Sequence, residues 1–85
     1  MENKKKLLEI STEDYTYSMI ETTADIQEAG RISVYGIEIC GVNEKSCVED
    51  ISCELEEVKH LFALIVEEKV FPEHLCDIAE DFISR

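Results

Sequence analysis

The chain of 85 residues is short of positive charge: 8 Lys and Arg stand against 20 Asp and Glu, a formal net charge of −12 on 9.7 kDa. Such a field repels phosphate backbones and anionic lipid heads, so no nucleic acid and no membrane surface is expected as a direct partner. Long apolar runs are missing too; none approaches the 18 or so residues that a membrane span needs. The start, MENKKKLLEI, has a basic beginning but lacks the apolar core of a signal peptide. A cytoplasmic location is the expectation. Glycine and proline are scarce, 3 and 1. There is no glycine-rich phosphate loop, no G-x-S-x-G elbow, no EF-hand pattern, no internal repeat and no low-complexity segment.

Four cysteines, Cys40, Cys47, Cys53 and Cys76, lack the close C-x₂₋₄-C pairing from which zinc sites are usually built. They read as buried or partly buried thiols kept reduced in the cytosol. Surrounding carboxylates oppose thiolate formation, which weakens any Cys–His nucleophile. His60 falls on the polar side of a helix, and His74 opens the next one. No catalytic residue, no metal ligand and no cofactor-binding residue is assigned, and no cofactor is expected.

What the sequence does contain is a strong helical signal near its end. Leu55, Val58, Leu61, Phe62 and Ile65 fall on one side at 100° per residue, with Val66 at the edge. Ser52 is the expected N-cap, and Lys69 is expected near the negative end of the helix dipole. Pro72 breaks this helix and starts another, in which Leu75, Ile78, Ala79 and Phe82 follow the i, i+3, i+4, i+7 pattern. A link of about three residues, Val70 to Pro72, predicts that the helices are spatial neighbours.

Upstream the period is two. Tyr15, Tyr17 and Met19 alternate with Thr16 and Ser18, and the pattern extends toward Ile26. Glu28-Ala29-Gly30 is a turn signal. RISVYGIEIC is apolar on both faces and reads as a central strand, with Gly36 marking a bulge or a close approach. After a turn at Gly41 to Lys45, a third strand is expected near Cys47 to Ile51, at an edge. Residues 1–13 show no convincing period; Lys4 to Ile10 suit either a short helix or a sheet edge, and 1–13 are set apart as a flexible segment. The expectation is an α+β domain over 14–85, a three-stranded antiparallel meander with two C-terminal helices on one face.

The runs YGIEI (Tyr35 to Ile39), VEDIS (Val48 to Ser52) and VFPEHLCDIAEDFI (Val70 to Ile83) resemble DUF6514, a family of small proteins from Clostridia and related Firmicutes. The resemblance covers Tyr15 to Ile83. It implies a cytoplasmic bacterial protein of one compact domain with no assigned activity, and it transfers no functional residue.

Function is therefore expected in binding. Cys47 onward carries 11 acids against 3 bases, so the helical half holds the acidic face. A non-enzymatic interaction or regulatory module is the leading expectation, with Glu73, Asp77, Glu80 and Asp81 facing a protein partner. Leu64 lies off the apolar stripe and, with Val42 and any uncovered sheet face, marks a partner or self-association contact, including a homodimer. The alternatives are an acidic nucleic-acid mimic occupying a basic partner and a cysteine-based metal or redox protein.

Overall fold

A computed structural model describes residues 3–26 and 30–84. Four strands run in sequence order, β1 (Asn3–Ser11), β2 (Thr16–Ile26), β3 (Gly30–Cys40) and β4 (Lys45–Ser52), followed by helices α1 (Leu55–Glu67) and α2 (Pro72–Ile83). The sheet is an antiparallel meander in the order β1-β2-β3-β4. The α+β class and the C-terminal helix pair are as expected; the sheet has four strands rather than three. The additional strand lies within residues 1–13, where Asn3–Ser11 pairs along β2. The turn expected at Glu28 and Ala29 lies outside the described residues. Gly30 has a φ of 79°, a conformation that glycine adopts without steric cost.

Both helices cover one face of the sheet. Tyr17, Met19, Ile37 and Ile39 point toward them and meet Val58, Leu61, Phe62, Ile65, Leu75 and Ala79, all buried. Burying each large apolar side chain contributes about 1.5–3 kcal/mol, so this layer is the main source of stability. Each helix packs on the sheet more closely than on its neighbour, and neither packs closely on β1. The short link joins two helices that share this sheet face and line one groove, in keeping with the expected adjacency.

Gly36 sits where the β3–β4 register shifts between Tyr35 and Ile37. A Cβ there would come within 2.6 Å of Glu49 Cα, so the approach is by backbone. At this bulge the β3 and β4 backbones come into close approach. The expected N-cap at Ser52 is corrected. Ser52 still pairs with Tyr35 in the sheet, and the helix opens at Glu54 instead. The Ser52 hydroxyl accepts from the Glu54 N–H at 3.0 Å and donates to Glu57 Oε2 at 3.0 Å.

The other sheet face has no helical cover, yet Ile20 and Thr22 are only 5% and 4% exposed there. Ile20 lies opposite Gly36, which offers no side chain. Lys4 of β1 pairs with Glu49 of β4, so its methylenes lie across the two central strands. Lys6–Glu9 at 2.9 Å and Lys45–Glu38 at 3.6 Å complete a face of balanced ion pairs.

Candidate functional site

The link between the helices shapes an apolar depression. Helix α1 closes at Glu67, with Glu68 as C-cap and Lys69 in the left-handed region at φ 52°. The Val70 N–H bonds to Ile65 O at 3.1 Å, and the Lys69 N–H bonds to Val66 O at 3.2 Å. These two bonds define a Schellman closure, here with lysine where glycine is usual. Lys69 therefore lies in the connecting turn, just past the negative end of α1, near which it was expected. Below it, the buried Tyr17 donates its hydroxyl to Val70 O at 3.1 Å and ties the link to the sheet. Phe71, extended at φ −77° and ψ 152°, then leads into Pro72 at the first turn of α2.

Between the two helices lies a groove of about 490 Å³. Its floor is Leu61, Leu64, Ile65, Val70, Ile78 and Phe82, and its rim carries Glu68, Asp77 and Asp81. Among the described residues, no lysine, arginine or histidine lines it. Leu64 is 51% exposed although its neighbours Leu61 and Ile65 are buried. Asp77 and Asp81 stand one helical turn apart on α2, and Leu64 and Glu68 have the same spacing on α1.

Of the five surface residues singled out in the sequence, the structure brings Leu64, Asp77 and Asp81 together here. Glu73 lies elsewhere, beside Asn43, Glu44 and Lys45 of the β3–β4 turn. Glu80 faces its own helix and accepts the Cys76 thiol at 3.7 Å. Val42 is 94% exposed in the β3–β4 turn and does not join Leu64. Ile78, Phe82 and Glu68 went unremarked as site residues; their i, i+4 spacing to Phe82, Ile78 and Leu64 was the available signal.

Other surfaces offer less chemistry. A polar depression of about 410 Å³ at one end of the uncovered sheet face is lined by Lys6, Glu9, Glu38 and Cys40. Its lysine is engaged by Glu9, leaving no free cation for an anionic ligand. Tyr15 and Phe71 form an edge-to-face pair with ring centroids 5.8 Å apart, and the Tyr15 hydroxyl donates to Glu44 Oε2 at 3.3 Å. The cysteines correct an expectation: only Cys40 is partly buried, and Cys47, Cys53 and Cys76 are exposed. They sit on the uncovered sheet face, the β4–α1 junction and the outer side of α2, where no core side chain requires them. Burial and the Glu38 carboxylate push the Cys47 thiol up; Glu80, then burial, push up Cys76. Both thiols therefore hold their protons at neutral pH. Among the described residues, no three His, Cys, Asp or Glu side chains gather into a metal-binding group. Among the same residues, no helix is long and apolar enough to cross a membrane.

These features define a small α+β domain in which a helix pair caps one face of a four-stranded meander. The chain belongs to the DUF6514 family, whose model, described as a family of unknown function, matches residues 1–85. No curated protein and no solved structure matches it.

Proposed function

We propose that this protein is a cytoplasmic, non-enzymatic interaction module whose α1–α2 groove receives a basic amphipathic helix of a protein partner. The observation that carries this reading is the combination in one groove of six apolar floor residues and three carboxylates, with no base among the described residues that line it. An apolar stripe on the partner would cover Leu64, Ile78 and Phe82, and flanking lysines or arginines would meet Glu68 on one bank and Asp77 and Asp81 on the other. The apolar contact supplies affinity, and the acid rim supplies selectivity and on-rate. A nucleic-acid mimic needs ranks of carboxylates without such a floor, so the helix-binding reading fits this groove better.

The test is a titration of the full chain with a synthetic amphipathic helix, leucines at i, i+3, i+4 and i+7 and lysines on its flanks, followed by fluorescence anisotropy. Saturable binding that weakens about tenfold in D77N/D81N supports the proposal, because two rim pairs of under about 1 kcal/mol each are lost. Equal binding by a version of the peptide with glutamates in place of lysines overturns it.

A further inference from the structure

The free edge of β1 has a symmetry that its sequence conceals. The register against β2 shifts between Lys6 and Leu8, leaving Leu7 as the extra residue of a bulge. Leu8 and Ile10 oppose Met19 and Tyr17 and so share the helix side of the sheet. Leu7 packs against the core from that same side. Lys6 and Glu9 oppose Ile20 and Ser18 on the uncovered side, which is why they bond to each other at 2.9 Å. From Lys4 to Ser11 the sides therefore read uncovered, helix, uncovered, helix, then helix, uncovered, helix, uncovered. The pattern is a palindrome centred between Leu7 and Leu8.

A regular strand cannot do this. Antiparallel self-pairing about a point between two residues would set each side chain against one on the opposite face. The bulge removes that mismatch. In the register centred on Leu7 and Leu8, Leu7 of one copy faces Leu8 of the other, Lys6 faces Glu9, Lys5 faces Ile10 and Lys4 faces Ser11. Opposite charges meet, and apolar side chains meet apolar side chains or a lysine stem.

The edge also has something to cover. Leu8 and Ile10 are 45% and 42% exposed because neither helix packs closely over β1. β1 ends the sheet, so its outer backbone groups have no strand partner among the described residues. Moreover β1 holds Lys4, Lys5 and Lys6 against Glu9, so two copies of an acidic protein would meet along a basic margin of each.

We infer that the occupant of this edge is a second copy of the chain, paired antiparallel through β1 on a two-fold axis to give a continuous eight-stranded sheet. Among the described residues, none of β1 lines the groove, so the two surfaces are separate.

The experiment is sedimentation equilibrium of the full chain and of three variants, K6E, E9K and the swap K6E/E9K, with circular dichroism to verify the fold of each. The wild type should sediment at twice the 9.7 kDa chain mass at high concentration. Each single variant should dimerise about tenfold or more weakly, because symmetry places two like-charge pairs across the axis. The swap variant should recover the wild-type constant, because it restores both pairs. A wild type that stays monomeric to millimolar concentration overturns the proposal. So does a dimer that none of the variants affects.

Discussion

The Schellman turn at Lys69 permits a test in which the backbone and the side chain separate. A residue other than glycine at positive φ crowds its Cβ against the following carbonyl, at a cost of about 1–2 kcal/mol. Glycine escapes that cost but loses more chain entropy on folding, about 0.5–1 kcal/mol. Lys69 also places a cation just past the negative end of α1, so replacing it with glycine alone changes two things at once. The informative comparison is Lys69→Gly against Lys69→Ala. Both lose the charge, and only alanine keeps a Cβ at φ 52°. Glycine should exceed alanine by about 1 kcal/mol, or about 4–8 °C in Tm for a domain of this size. Thermal melts followed by circular dichroism at 222 nm would read the difference directly. The turn is bonded through Ile65 O and Val66 O whichever residue is present, so the difference belongs to the Cβ. If alanine melts at or above glycine, Lys69 is not left-handed in solution. The groove bank formed by Ile65 and Val70 would then need a different geometry.

Other consequences are more direct. Gly36→Ala places a methyl within 2.6 Å of Glu49 Cα, against backbone that has no rotamer to yield, so urea unfolding should show a loss of about 3 kcal/mol or more; a loss below about 0.5 kcal/mol would remove the β4 bulge from the account. Tyr17→Phe removes the hydroxyl bonded to Val70 O and should cost about 1 kcal/mol at pH 7. Burial, then Asp14, raises the Tyr17 pKa above its ordinary value of 10.0. The unfolded chain therefore gives up this proton first as pH rises, and this part of the stability is complete below about pH 10 and declines above it. Urea midpoints measured from pH 8 to 11 should fall less steeply in Tyr17→Phe than in the wild type; parallel curves would refute the assignment. Glu80→Gln removes the main cause of the raised Cys76 pKa and should speed iodoacetamide alkylation of Cys76 at pH 8, read by peptide mass spectrometry; an unchanged rate would count against the Cys76–Glu80 contact.

Both helices and β3 were legible because each carries one uninterrupted period. The stripe Val58, Leu61, Phe62 and Ile65 is buried as spaced, and Ile37 and Ile39 alternate as a covered strand should. β1 was not legible as a strand because its bulge breaks the very alternation by which strands are read. Leu7 and Leu8 share a side, so no period of two spans Lys4 to Ser11. Three of the nine groove residues were visible. Leu64 stood out as an apolar residue off its stripe, and Asp77 and Asp81 were flagged by charge. Ile78 and Phe82 had been assigned wholly to the core, yet both line the groove. Periodicity tells which flank of a helix is apolar. How much of that flank stays open depends on how far apart the helices lie. The link between them turns through one left-handed residue and is tied to the sheet by one tyrosine hydroxyl, which no composition or period encodes.

The distribution of charge links the two proposed surfaces. On the uncovered sheet face Lys4, Lys6 and Lys45 are each within reach of Glu49, Glu9 and Glu38. Exposed pairs of this kind contribute little to stability, at most about 1 kcal/mol each. Their consequence is that this face carries almost no net field. The acidity is displaced to the helical layer, where residues 55–83 hold eight acids against two bases. Two groups of that excess border an apolar groove, whose low polarizability concentrates the field instead of dispersing it. A chain with its charge spread evenly would repel its own copies at every edge and attract basic partners at none in particular. On the two proposals, the neutralised sheet would let like approach like along β1, while the concentrated rim would select unlike between α1 and α2. The two proposed contacts lie on different elements and would use opposite electrostatics, so occupying one would leave the other open.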